Sequence, residues 1–234
     1  PIVYGYGLSE TTATVCFYPE IGFQFGSIGD VMPDVQVRID PENSEILVKG
    51  KTVMSGYYNK PAENEKAFTE DGYFRTGDAG RMEGNTLFFT ERIKDLYKTS
   101  NGKYIAPQAI EMVMSGDQYI EQIAVIGDQR KFVSALIVPA YSLLEKYAEE
   151  KGLAVGSREE LVRNKEVLRL IETHIEENQK NLASYEKIKR FTLLSEPFTM
   201  GSELTDTLKL RRSVILKKYA DSIEKMYEEA SNPS

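Results

Sequence analysis

Over residues 1 to about 92, apolar and polar positions alternate in short runs separated by turn residues. Val35-Gln36-Val37-Arg38-Ile39 has a period of two, and Asp40-Pro41-Glu42-Asn43 links it to Glu45-Ile46-Leu47-Val48, a pattern that predicts a β-hairpin. A second hairpin is predicted at Gly84-Asn85, between Arg81-Met82 and Thr86-Leu87-Phe88-Phe89-Thr90. Ile2-Val3-Tyr4 also reads as a strand, so the chain opens inside an element and looks like a piece of a longer protein.

After Arg92 the period changes. A helix is expected between Ile105 and Met114, beginning after Pro107, then strands at Ile123-Ala124-Val125-Ile126 and from Val133 to Val138. Between Arg158 and Leu182, the positions Leu161, Leu168, Ile171, Ile175 and Leu182 fall on one face of an amphipathic helix. Leu216, Tyr219, Ile223 and Met226 form a similar stripe, and Ser231 to Ser234 is a frayed tail. The charged run Glu91 to Asp95 marks the expected boundary, with one domain over 1–92 and another over 93–234. The fold class expected is α+β, a β-rich part followed by a small αβ part.

Composition narrows the function classes. Of 234 residues, 41% are hydrophobic and only 26 are Gly or Pro, which suits a folded core and excludes low-complexity sequence. One Cys and one His cannot make a disulfide or supply a structural zinc site, which points to a reducing, cytoplasmic setting. No apolar run approaches the length of a membrane span. A net charge of −7 has the wrong sign for a nucleic-acid protein, leaving Arg130-Lys131 and Arg211-Arg212 as local clusters that can meet phosphates.

Four segments carry candidate chemistry. Tyr4-Gly5-Tyr6-Gly7-Leu8-Ser9-Glu10-Thr11-Thr12 is a strand end running into a glycine-spaced loop. There backbone can approach a phosphate, a hydroxyl can donate to it and a carboxylate can hold Mg²⁺; equally, it can be a Gly turn followed by a Ser/Thr-capped helix. In Tyr73-Phe74-Arg75-Thr76-Gly77-Asp78 the aspartate can accept from a vicinal diol such as ribose, or can cap a hairpin turn. Asn101-Gly102 predicts a hairpin turn that admits a slender ligand close to the backbone, behind a charged run that is either a hinge or a solvated loop. Gly201 to Arg212 is a polar loop leading into the last helix. A lysine there can reach an anion, whereas a basic first helical turn would oppose the helix dipole.

Taken in order, Tyr6-Gly7-Leu8-Ser9-Glu10-Thr11, Gly56-Tyr57-Tyr58-Asn59-Lys60-Pro61, Tyr73 to Asp78, Glu91-Arg92-Ile93-Lys94-Asp95 and Lys209 resemble the later motifs of the adenylate-forming superfamily of acyl-CoA synthetases, luciferases and peptide synthetases. Gly102 to Pro107, the Val133 to Pro139 strand, the helical stretch Tyr141 to Leu182 and Glu203-Leu204-Thr205-Asp206-Thr207-Leu208-Lys209 are most similar to the long-chain fatty acyl-CoA synthetase branch. The resemblance implies the end of a large AMP-binding domain followed by a mobile C-terminal lid domain. It implies a ligase joining fatty acid to CoA at the expense of ATP, with AMP and pyrophosphate released.

By the same resemblance Tyr6 stacks near the adenine, Ser9 contacts phosphate, Glu10 holds Mg²⁺, and Asp78 with Arg92 binds the ribose. Lys94 is the hinge, Gly102 lines the path of the CoA arm, and Lys209 is the catalytic lysine of adenylation. Two departures stand out: Leu208 where many shorter-chain relatives have Gly, and Asp206 where many long-chain members have Pro. The family's phosphate loop and most of its acyl pocket would precede residue 1, so the piece alone is expected to form no adenylate and to work with a missing N-terminal region. The rival readings are an adenylating ligase for another carboxylic acid and a non-catalytic nucleotide-binding module. Lipid substrates leave room for peripheral membrane contact. His174 and Cys16 read as a boundary histidine and a packed thiol.

Overall fold

The computed structural model describes residues 4–19, 21–22 and 24–228. The expected strand at Ile2-Val3 and the tail at 231–234 lie outside these. Contacts divide the chain into two compact units, Pro1–Leu96 and Tyr97–Ser234.

In the first unit, strands β1 (Gly5–Tyr6), β2 (Cys16–Phe17), β3 (Gly29–Val31), β4 (Val35–Ile39), β5 (Glu45–Gly50), β6 (Phe74–Glu83) and β7 (Thr86–Arg92) form one sheet, with helix α1 (Pro61–Ala67) between β5 and β6. The strand order is β1-β2-β3-β7-β6-β5-β4, antiparallel throughout. Both predicted hairpins are present, since period-two patterning and a local turn together fix register. Val15, Cys16, Val35, Ile46, Val48 and Leu87 form the buried core. Cys16 Sγ donates to Ile28 O at 3.1 Å, and burial pushes its pKa up to about 11, as suits a packed thiol.

The second unit opens with the ribbon β8 (Tyr97–Lys98) and β9 (Tyr104–Ile105), then α2 (Pro107–Met114), β10 (Ile120–Ile126), β11 (Val133–Pro139), α3 (Tyr141–Glu150), α4 (Arg158–Leu161), α5 (Lys165–Asn178), β12 (Ile188–Leu193), α6 (Arg212–Lys218) and α7 (Ala220–Glu228). β11 pairs antiparallel with β10 and parallel with β12. The parallel pairing requires a long crossover, which the three helices α3 to α5 provide. Every residue of β11 is buried, so a sheet strand covered on both faces reads as an apolar run, interrupted only by Ser134, whose hydroxyl donates to Tyr227 Oη.

Two helical expectations are corrected. The stretch 158–182 is two helices, because Asn164 accepts from the backbone N–H of Glu166 and Val167 and so starts a new one. The buried face of α5 is Val167, Ile171 and Ile175. The C-terminal stripe is broken at Tyr219, and it is Ile215 that enters the core while Leu216 is exposed. Among the described residues no helix is long and apolar enough to cross a membrane.

Candidate functional site: a buried aspartate and a lysine hairpin

In the first unit the site is built on an irregularity of β6. Glu45 pairs with Ala79 and Leu47 with Arg75, so β6 carries extra residues opposite Ile46, and Asp78 sits on that bulge. A bulge withdraws backbone groups from the ladder and re-aims a side chain. The freed donors are satisfied locally: Gly77 N–H donates to Glu45 Oε1 at 3.0 Å, and Asp78 N–H donates to Thr76 Oγ1 at 3.1 Å. Thr76 in turn donates to Ile46 O at 2.7 Å. Asp78 therefore lies within a strand, and its reading as a hairpin-turn cap is corrected.

The Asp78 side chain is only 2% exposed. Tyr6 Oη donates to its Oδ2 at 2.6 Å. Arg92, its cross-strand neighbour, brings Nε to 2.9 Å from Oδ1 as an ion pair. Among the described residues no aligned hydrogen bond reaches Oδ1, which is buried and, beside the Arg92 ion pair, keeps acceptor capacity for a ligand hydroxyl. Burial raises the Tyr6 pKa, and the bond to Asp78 adds to this, so the phenol stays a donor.

Glu10 and Ser9 lie in a one-turn 3-10 helix, Ser9–Thr11, rather than in a Ser/Thr-capped α-helix. The buried Thr11 hydroxyl closes the turn, accepting from Leu8 N–H at 2.9 Å and donating to Leu8 O at 3.0 Å. Gly7 is required here, because a Cβ would lie 1.4 Å from Ala13 O. Ser9 is exposed. Tyr57 Oη donates to Glu10 Oε1 at 2.9 Å, a partner that sequence reasoning missed; the two are 47 positions apart and no spacing rule links them. Lys94 is exposed in the turn Ile93–Asp95, just before the division between the units.

Gly102 and Lys209 belong to the second unit. Gly102, at φ +77°, closes a turn in which its N–H donates to Thr99 O, while Thr99 Oγ1 both accepts from Lys103 N–H and donates to Lys103 O. Ser100 N–H and Asn101 Nδ2 fasten this turn to the carbonyls of Arg130 and Lys131.

Lys209 is not in the first turn of a helix, so the expected conflict with a helix dipole does not arise. It sits on a small hairpin in which Leu204 bridges Leu210, Thr205 N–H donates to Lys209 O, and Lys209 N–H donates to Thr205 Oγ1. Its side chain is exposed. Leu208 before it adopts a left-handed φ of +60°, the conformation that glycine takes most readily.

The basic clusters expected to meet phosphates are largely spent within this unit. Arg130 pairs with Glu224, Arg211 donates to the carbonyls of Gly201 and Ser202, and Arg212 forks onto Glu111 at 2.8 and 2.9 Å. His174 is a boundary residue as expected, with Nδ1 2.7 Å from Asp117 Oδ2. Among the described residues no group of three or more metal-ligating side chains exists.

Comparison with known proteins agrees with this anatomy. A sequence model described as the AMP-binding enzyme C-terminal domain matches residues 94–231, and the chain belongs to that family. Among curated relatives, a long-chain-fatty-acid–CoA ligase of Mycobacterium bovis is 33% identical over 97% of this chain and 38% of its own length. Long-chain-fatty-acid–CoA ligase 1 of Homo sapiens is 32% identical over 95% of this chain and 34% of its own length. The chain thus spans little more than a third of these relatives. The adenylation domain of a carboxylate reductase from Mycobacterium chelonae has a TM-score of 0.62 at 26% identity, over 97% of this chain and 34% of that one. A carboxylic acid reductase A domain from Segniliparus rugosus, in complex with AMP and a co-purified carboxylic acid, has a TM-score of 0.61 at 23% identity, over 97% of this chain and 35% of that one, a likeness of fold. The α+β fold is similar to that of these adenylation domains over the part matched.

Proposed function

We propose that this chain is the C-terminal portion of an ATP-dependent, AMP-forming long-chain fatty acid:CoA ligase. The observation that carries the reading is the Asp78 carboxylate, buried beside Arg92 with Oδ1 free to accept, an arrangement suited to a ribose diol. The names of the relatives supply the substrate class.

In this reading the first unit holds the nucleotide. Asp78 and Arg92 take the ribose, the Tyr6 ring offers a stacking face to the base, and Ser9 donates to phosphate. Glu10 fits a Mg²⁺ role, since this ion is commonly held by one or two carboxylates together with substrate phosphates. When bound, the ion neutralises phosphate charge. The fatty carboxylate attacks the α-phosphorus, the bond to pyrophosphate breaks, and Lys209 stabilises the charge between carboxylate and phosphate. The second unit then swings about Lys94 and brings Gly102 beside the CoA arm. The deprotonated thiol attacks the acyl carbon, the thioester forms, and AMP leaves. A cytoplasmic setting and peripheral contact with lipid belong to the same proposal.

The test is made on the full-length protein with ATP, Mg²⁺, CoA and acids from acetate to oleate, with acyl-CoA detected by mass. Palmitoyl- or oleoyl-CoA that disappears in Lys209→Ala is the expected result. Product from short or aromatic acids alone would overturn the substrate class, and no product from any acid would overturn the ligase reading.

A further inference from the structure

Glu203 has no solvent-accessible side-chain surface, although it is a carboxylate. Burying a charge costs several kcal/mol unless its lone pairs are well matched, so its partners identify what the fold gains. Oε2 accepts from Thr199 N–H at 3.1 Å and from Thr199 Oγ1 at 3.2 Å. Oε1 receives the Lys218 ammonium and, at 3.4 Å, the Tyr219 hydroxyl, both at the C-terminal end of α6. Its backbone carbonyl accepts from Arg211 N–H at 2.7 Å, and the next residue, Leu204, bridges Leu210. Glu203 therefore stands at the base of the Lys209 hairpin, where its two arms meet. Its side chain ties that base both to the preceding loop and to the helix that follows.

The Lys209 side chain, by contrast, makes no ion pair or hydrogen bond among the described residues. The backbone from which this lysine projects is set by the hairpin, held at Lys209 by Thr205 and at its base by Glu203. We propose that Glu203 is a positioning residue for Lys209, its buried carboxylate fixing the orientation in which the hairpin presents the ammonium. The proposal rests on the reading of Lys209 as the adenylating lysine.

The experiment measures both half-reactions of the full-length enzyme: adenylate formation by pyrophosphate exchange, and thioester formation from supplied acyl-adenylate. The variants are Glu203→Gln, Lys218→Met and Lys209→Ala, with melting temperatures and amide exchange over 204–210. Glu203→Gln is expected to slow adenylate formation about 10²-fold, as a displacement near 1 Å can, while thioester formation is spared and exchange in the hairpin quickens. Unchanged adenylate formation, or a parallel loss of both half-reactions, overturns the proposal. If Glu203→Gln does not fold, the half-exposed Lys218→Met decides, with the same split supporting the proposal and wild-type behaviour overturning it. An unaffected Lys209→Ala would instead remove the reading of Lys209, and positioning with it; loss in Lys209→Ala beside an indifferent Glu203→Gln removes the positioning claim alone.

Discussion

The two units treat their charged groups in opposite ways. In Pro1–Leu96, Asp78 is buried and gripped by Tyr6 and Arg92, on a bulge whose own amides are satisfied by Glu45 and Thr76. In Tyr97–Ser234, Lys209 is exposed and its ammonium has no partner among the described residues, yet the hairpin beneath it is pinned through Glu203. A group that must hold a ligand in one place is locked before the ligand arrives, which lowers the entropy cost of binding. A group that must be delivered to a reaction keeps its side chain free and takes its precision from the backbone.

This contrast breaks first at Lys209. Lys209→Ala in the full-length enzyme should lower overall turnover by about 10²–10³, the scale of a preorganised transition-state group, while the KM for ATP stays near its wild-type value. Asp78→Asn should do the reverse. If Asp78 binds ribose as proposed, loss of charge-assisted bonds worth about 1.5–3 kcal/mol should raise the KM for ATP roughly 10- to 100-fold in steady-state kinetics.

The acid response sharpens the role of Glu203. Burial alone would raise its pKa, but the Lys218 ammonium and the Thr199 N–H more than offset this and hold it at about 2, below the ordinary value of 4.5. A depressed carboxylate pKa contributes stability that is complete above 4.5 and is lost as pH falls towards 2. Thermal melts of the full-length protein between those limits should show this loss, and Glu203→Gln should flatten it. The smallest effect is expected at Leu208, whose left-handed φ costs about 1–2 kcal/mol and whose exposed side chain contributes little burial. Leu208→Gly should therefore leave the melting temperature unchanged or slightly raised, the relief of strain offsetting the added freedom of the unfolded chain.

Legibility in the sequence followed range. The hairpins at Asp40 to Asn43 and at Gly84-Asn85 were readable because turn chemistry and strand alternation lie side by side. The break between α4 and α5 had a local signal too. Ser157 accepts from Glu160 N–H and Asn164 caps α5, and both are N-cap residue types, but the apolar stripe running across them masked the break. Candidate residues could be picked out by motif, whereas the partners that shape them could not. Glu45 lies 32 positions from Gly77, and Asp117 lies 57 from His174; such pairs meet only when strands and helices fold together. Leu208 before Lys209 was noted only as a departure from shorter-chain relatives, and its left-handed backbone, a conformation that favours glycine, had no signal in the sequence.

The most direct test of a locked cradle and a delivered lysine is calorimetric titration of AMP into the full-length protein as wild type, Asp78→Asn and Lys209→Ala. With Asp78 as part of the proposed ground-state cradle and Lys209 outside it, the Kd should rise about tenfold or more in Asp78→Asn and change by less than about threefold in Lys209→Ala. Equal affinities in wild type and Asp78→Asn, or a larger loss in Lys209→Ala, would contradict it.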